Sequence, residues 1–454
     1  MSEGGLTRLA LAAVALTVTG CTLNRPEDPV VLNGSQVPAL SSVAAGDVVA
    51  FRYLQGWSQV PVQVDERKPV SFQTVYNNAV SANFTTTVYA DPGTFTGADS
   101  NGNLDADDEV VFMAKDVGIE APGDAGNPTG VVAGSGTKVR VRSTLGGDTK
   151  DGWIYLFKRS GNLDPGAGQH YVSYSFNLLS GDYKTTYKLA DGPNPENTTV
   201  STPYYVDHFS DRWLNDQLKV KTGDATEVDI LDRAKATLGP GNCGRSEDTF
   251  DDAEGAFVTN KVGPVRAIRS YIGANSGPLT QREHVFYEQR QDIRTFLRVH
   301  AIPGPWDFFD YSSAASGMTY RNNLNTGGIT IDGVPDTPVD GLLSWESVDG
   351  PQGGLSMVHT SATDITPFNP SSHYLDDSTP GAGAETQCTG DAQAFGESGP
   401  WLNFNLPNTD PRSTPFNSLT STRTIYFEAP GKANGAARAA QAGSPFGITV
   451  SAQP

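Results

Sequence analysis

The sequence predicts a mainly β protein: a large antiparallel β-sandwich domain preceded by a smaller β domain, with few short helices. Three observations predict it. Glycine and proline number 49 and 30 in 454 residues, which suits many strands joined by turns and long loops. Between residues 262 and 302, three runs alternate apolar with polar side chains and are rich in Val, Ile, Phe, Tyr and Thr. That period of two marks half-buried antiparallel strands. Shorter runs of the same kind recur from residue 47 to residue 450, with no internal repeat at a fixed period.

Taken in order, residues 1–21 form a targeting segment. Arg8 precedes the apolar run 9–18, which is too short for a stable bilayer span. The run ends in Val18-Thr19-Gly20-Cys21, which resembles a bacterial lipobox. The resemblance implies cleavage before Cys21, lipid on the Cys21 thiol, and an exported protein anchored to the envelope membrane. Residues 22–44 are polar and contain proline, and read as a tether.

Residues 45–190 read as the N-terminal β domain, with strands at 47–54, 59–64, 86–89, 110–114, 138–141, 152–157 and 170–176. Inside it, Asp99, Asn101, Asn103 and Asp105 place oxygens at alternate positions, and Asp108 follows. Ca²⁺ takes six to eight oxygen ligands, so such a loop suits structural calcium. The start resembles an EF-hand or dockerin-type loop, but Leu104 replaces the turn glycine and Val110 the terminal glutamate. A solvated acidic turn is the other reading.

Residues 191–454 read as the C-terminal β-sandwich domain, opened by the Pro/Asn-rich stretch 192–199. Residues 228–237 suit a short helix or a strand equally. The three alternating runs are 265–272, 282–289 and 293–302, with turns at 273–278 and 290–292. One face of this ribbon would carry Val, Phe and Leu, and the other Arg, His, Glu and Tyr. A ligand is expected at the polar face. Later strands are expected at 329–332, 341–348, 354–359, 421–428 and 446–450, with an Ala-rich helix at 432–442. Cys243 and Cys388 remain as an even pair, and in an exported chain a disulfide between them is expected.

Gly263-Pro264-Val265-Arg266 opening a strand, followed by the two further runs, resembles the β-supersandwich of galactose-mutarotase-like proteins. That arrangement is shared by several carbohydrate-active families, including the C-terminal region of some mannosidases. The resemblance implies sugar ligands at the concave sheet face. It covers about forty residues and carries over no catalytic residue.

The net charge of −19 argues against non-specific nucleic-acid binding, which needs basic stripes. No GxSxG, HExxH, GxGxxG or CxxCH is present, and the 6 histidines form no metal-spacing cluster. Two functions remain open. A carbohydrate-active enzyme (lyase, hydrolase or epimerase) would draw an acid/base pair from His284, Glu288, His300, Asp307 and Asp310. Arg266, Arg269, Arg294 and Arg298 could hold a sugar carboxylate, beside an aromatic wall of Tyr205, His208 and Trp213. Alternatively the chain is a calcium-stabilised, lipid-anchored envelope protein that binds glycan or a surface partner without catalysis.

Overall fold

The alternating runs become strands of a nine-stranded antiparallel sheet in the computed structural model, which describes residues 23–73, 75, 83–182, 184, 195–237, 246–247, 255–273, 279–298, 302–382, 393–402, 404–406 and 418–453. The strands lie in the order Ala256–Val262, Ala267–Ile272, Thr280–Phe286, Arg290–Arg298, Ser418–Glu428, Gly353–Thr363, Trp345–Gly350, Thr319–Asn322 and Ile329–Thr330. The second turn of the central ribbon falls at residues 287–289, closed by Tyr287 N–H to Arg290 O at 2.8 Å, and not at 290–292. Arg290 and Asp292, two residues apart on one strand face, bond each other at 2.9 Å and so favour extended backbone there.

Period two predicted one dry and one wet face, but both faces of this sheet are covered. One packs against the four-stranded sheet Leu231–Thr237, Trp306–Tyr311, Ala394–Trp401, Ser371–Asp377 and against a second small sheet that includes Tyr205–Phe209. The other lies under the hairpin Arg67–Ser71/Thr85–Tyr89, the N-terminal residues near Asp28, and the helix Gly435–Ala442. Every residue of Ala267–Ile272 and Thr280–Phe286 is buried. Register separates the cationic groups expected together. Arg269 pairs with His284, and Tyr271 with Arg282, on one face; Glu283 pairs with Arg294, four residues before Arg298, on the other.

Residues 23–44 are not a tether. Leu23, Val30, Leu32, Val37, Leu40 and Val43 are buried in the N-terminal core, and Pro29–Asn33 pairs with Glu109–Met113. The apolar side chains at 30, 32, 37, 40 and 43 were masked in the sequence by intervening polar and proline residues. The last strand, Gly447–Ala452, leaves the C-terminal half and pairs with Thr137–Leu145 in an N-terminal five-stranded sheet. Residues 231–237 are a strand at the edge of the four-stranded sheet, paired with Trp306–Tyr311. Cys21, Cys243, Cys388 and His300 lie outside the described residues.

Candidate functional site

A cleft opens where the four-stranded sheet meets the large one. Its floor comes from one cross-strand row, Arg282, Thr295 and Ser421, with His359 two residues along from that row on the next strand. Its far wall carries Asp307, and Trp306, Pro305, Leu343 and Leu402 supply apolar surface. Alternation along Trp306–Tyr311 decides which carboxylate takes part. Asp307 and Phe309 turn toward the large sheet, where Arg423 lies 4.3 Å over the Phe309 ring. Asp310 turns away and is buried against Lys235 at 3.2 Å.

Two guanidinium groups fix Asp307. Arg282 Nη2 donates to its Oδ2 at 2.6 Å, and Arg423 Nη2 donates to its backbone oxygen at 2.5 Å. Asp307 Oδ1, 3.5 Å from Arg423 Nη1, accepts no hydrogen bond from the described residues. Gly399 permits this approach: a Cβ there would stand 2.3 Å from Asp307 O and 3.0 Å from Arg423 Nη2.

His359 is oriented from behind. Its Nε2 lies 2.9 Å from Glu346 Oε1, and Tyr320 donates to Glu346 Oε2 at 3.2 Å. Burial pushes the Glu346 carboxyl up. The hydrogen bond and charge of His359, with the charge of Arg423, outweigh it, so the carboxyl ends below its ordinary range. An anionic Glu346 accepts from Nε2 and so turns Nδ1 away from itself. That Nδ1 is buried with no hydrogen-bond partner among the described residues.

The cleft holds about 50 Å³ of open volume. Pockets that engulf a drug-sized ligand begin at roughly 300 Å³. The cleft therefore suits the edge of a sugar ring or one substituent, with the rest of the ligand outside. Leu342, 61% exposed, sits at the rim.

Of the described residues singled out in the sequence, only Asp307 reaches this cleft. His208 is bonded to Asp216 at 2.6 Å and Asn197 at 2.9 Å on a separate small sheet. Trp213 is buried, its indole N–H donating to Gly273 O at 2.6 Å. Arg266 is buried between Asp65 and Glu109, and Arg269 is bidentate to Glu196 at 2.8 Å. His284 is buried between Tyr271 and Gln291; burial, then Arg282, Arg269 and Arg423, holds its pKa well below the ordinary imidazole range. It is a neutral core residue and no acid/base for an outside ligand. Glu288 pairs with Lys115. Arg298 lies on the opposite sheet face. The sequence reading missed His359, Glu346, Arg282 and Arg423. The signal was present: 355, 357 and 359 share a face of an expected strand, and 359 is the one polar residue among them.

Among the described residues no three His, Cys, Asp or Glu side chains are grouped to hold a metal. In the acidic loop, Asp108 accepts from Arg67 N and Asp105 N, both at 2.8 Å, and Asn101 donates to Asp105 at 3.2 Å; Asp99 accepts from Ser100 N at 2.6 Å and Asn103 N donates to Asn101 at 3.4 Å. The loop is thus bonded to itself. Burial, followed by neighbouring carboxylates, raises Asp108 and Glu66.

No protein-family model matches this chain, and no curated protein matches it. Among solved structures, it is similar to an Escherichia coli K12 protein designated an aldose 1-epimerase, at 10% identity and TM-score 0.30, over 57% of this chain and 100% of that one. It is also similar to a glycosyl hydrolase family 38 protein from Enterococcus faecalis, at 9% identity and TM-score 0.43, over 96% of this chain. An α-mannosidase from Enterococcus faecalis V583 superposes at 11% identity and TM-score 0.36 over 91% of this chain. The chain spans 47% of the length of each of these last two.

Proposed function

We propose that this is an exported, lipid-anchored envelope protein whose inter-sheet cleft binds glycan at one sugar edge without catalysis. The observation that carries the reading is the pair of buried polar atoms without a hydrogen bond among the described residues, His359 Nδ1 and Asp307 Oδ1, set beside the apolar wall of Trp306, Leu343 and Leu402. Buried polar atoms left unpaired cost free energy, and sugar hydroxyls would satisfy them while the C–H edge covers the apolar wall. A glycan array probed with residues 22–454 tests it. Binding should fall at least about tenfold in Asp307→Asn and in His359→Gln, the effect of losing one charge-assisted hydrogen bond. Arrays on which the wild type retains no glycan refute it.

The anchor is supported by the segment ending in Cys21. Cys21→Ala should move the protein from the membrane to the soluble fraction and abolish fatty-acid labelling. For the acidic loop we propose structural Ca²⁺, supported by the mutual repulsion of its carboxylates.

One observation favours a second reading, a carbohydrate-active enzyme: the His359–Glu346 pair at 2.9 Å could relay a proton to a bound sugar. Turnover of any polysaccharide by the wild type, lost in His359→Gln, would establish it.

A further inference from the structure

A second cavity, of about 250 Å³, lies on the opposite face of the nine-stranded sheet, under the hairpin Arg67–Ser71/Thr85–Tyr89. Arg67, Arg294 and Arg298 line it, with Glu109 and Glu283. Most of these charges are matched. Arg294 bonds Glu283 at 3.0 Å, and Glu109 is shared by Arg67 at 3.3 Å and Arg266 at 2.7 Å. Arg298 is the exception. Its Nη2 donates to the neutral amide of Gln281 at 3.0 Å, and its buried Nη1 has no hydrogen-bond partner among the described residues. Gln281 lies two residues from Glu283 on the same strand face, where a carboxylate would have completed a second pair.

The rings of Phe72, Phe84 and Phe296 lie 5.6, 5.0 and 5.9 Å from the Arg298 guanidinium. Rings solvate a cation but bring no negative charge. Burial alone lowers the Arg298 pKa to about 10, with no anion opposing it. Arg67 Nε, on the same cavity wall, is likewise buried and unpartnered.

We propose that this cavity binds a small hydroxylated carboxylate, a sugar acid, whose carboxylate pairs with Arg298. A planar carboxylate matches the guanidinium fork, and Nη1 stands ready to donate. A single negative charge is favoured because Glu109 and Glu283 share the walls and repel a second one. The volume admits one sugar-sized molecule, in contrast to the cleft. The proposal is independent of the cleft reading, since the two sites lie on opposite sheet faces.

The test is isothermal titration of residues 22–454 with galacturonate, with galactose as the neutral control and sulfate as the alternative anion. The wild type should bind galacturonate and not sulfate, and any galactose binding should be unchanged in Arg298→Met. Arg298→Met should reduce affinity at least about tenfold. Gln281→Glu, which supplies the missing carboxylate internally, should do the same while leaving the thermal midpoint equal or raised. Asp307→Asn, in the cleft, should leave galacturonate affinity unchanged. The proposal is overturned if galacturonate does not bind, if sulfate binds as well, if galactose binding depends on Arg298, or if Gln281→Glu retains affinity. Loss of galacturonate binding in Asp307→Asn would also overturn it, by placing the ligand in the cleft.

Discussion

Arg266→Met should cost about 3–5 kcal/mol of stability, the usual penalty for stranding a buried carboxylate. Asp65 is 0% exposed. Arg266 Nε donates to its Oδ2 at 2.9 Å, Lys261 reaches its Oδ1 at 3.0 Å, and Gln63 donates to both oxygens. Arg266 also bonds Glu109 at 2.7 Å, so one guanidinium ties the N-terminal sheet to the large one. Burial would raise the Asp65 carboxyl. The charges of Arg266 and Lys261 overcome it and bring the pKa from the ordinary 3.8 to about 2. That depression is worth about 2.5 kcal/mol at neutral pH. Because the folded pKa is the lower one, the stabilisation is present above about pH 4 and is lost as pH falls through 2. Urea unfolding at pH 7 and pH 3 for the wild type, Arg266→Met, Asp65→Asn and the double variant measures it. The double variant should be less damaged than the sum of the singles by more than about 1 kcal/mol. A wild-type midpoint in Arg266→Met, or additive singles, would refute the argument.

Other outcomes follow from the same kind of accounting. Burial pushes Asp207 up to about 7, only partly offset by its hydrogen bonds from Asn215 and Gln291. A raised folded pKa means that stability falls as pH climbs from about 4 to 7, by up to about 4 kcal/mol; thermal melts of Asp207→Asn should lack that slope. Gly399→Ala would place a Cβ 2.3 Å from Asp307 O, displace Asp307 from Arg423, and lower both glycan retention and stability, the latter by about 1–3 kcal/mol. If calcium serves the acidic loop, EDTA lowers the melting temperature and CaCl₂ restores it, and Asp105→Asn abolishes the response; identical melts in all three conditions would remove calcium from the account.

The antiparallel strands around residues 262–302 were legible because alternation is a local property, written in the order of side chains. So were the later strands near 345–350, 353–363 and 418–428, and the eight-residue helix Gly435–Ala442. The site was much less legible. Asp307 was singled out, but with Asp310, which the same alternation sends to the other side of its strand. Arg266, Arg269 and His284 looked available to a ligand because nothing in a sequence says that a second layer will cover a charged face.

What the sequence by itself determined is the strand-forming pattern and the division of each strand into two faces. Register and layering belonged to the tertiary structure alone. Register pairs residues tens to hundreds of positions apart, as His359 with Arg423 and Arg423 with Ile293. Layering decides whether a guanidinium meets water or a buried carboxylate. Both depend on the packing of the whole chain, since a charge is buried only where distant segments supply its partner.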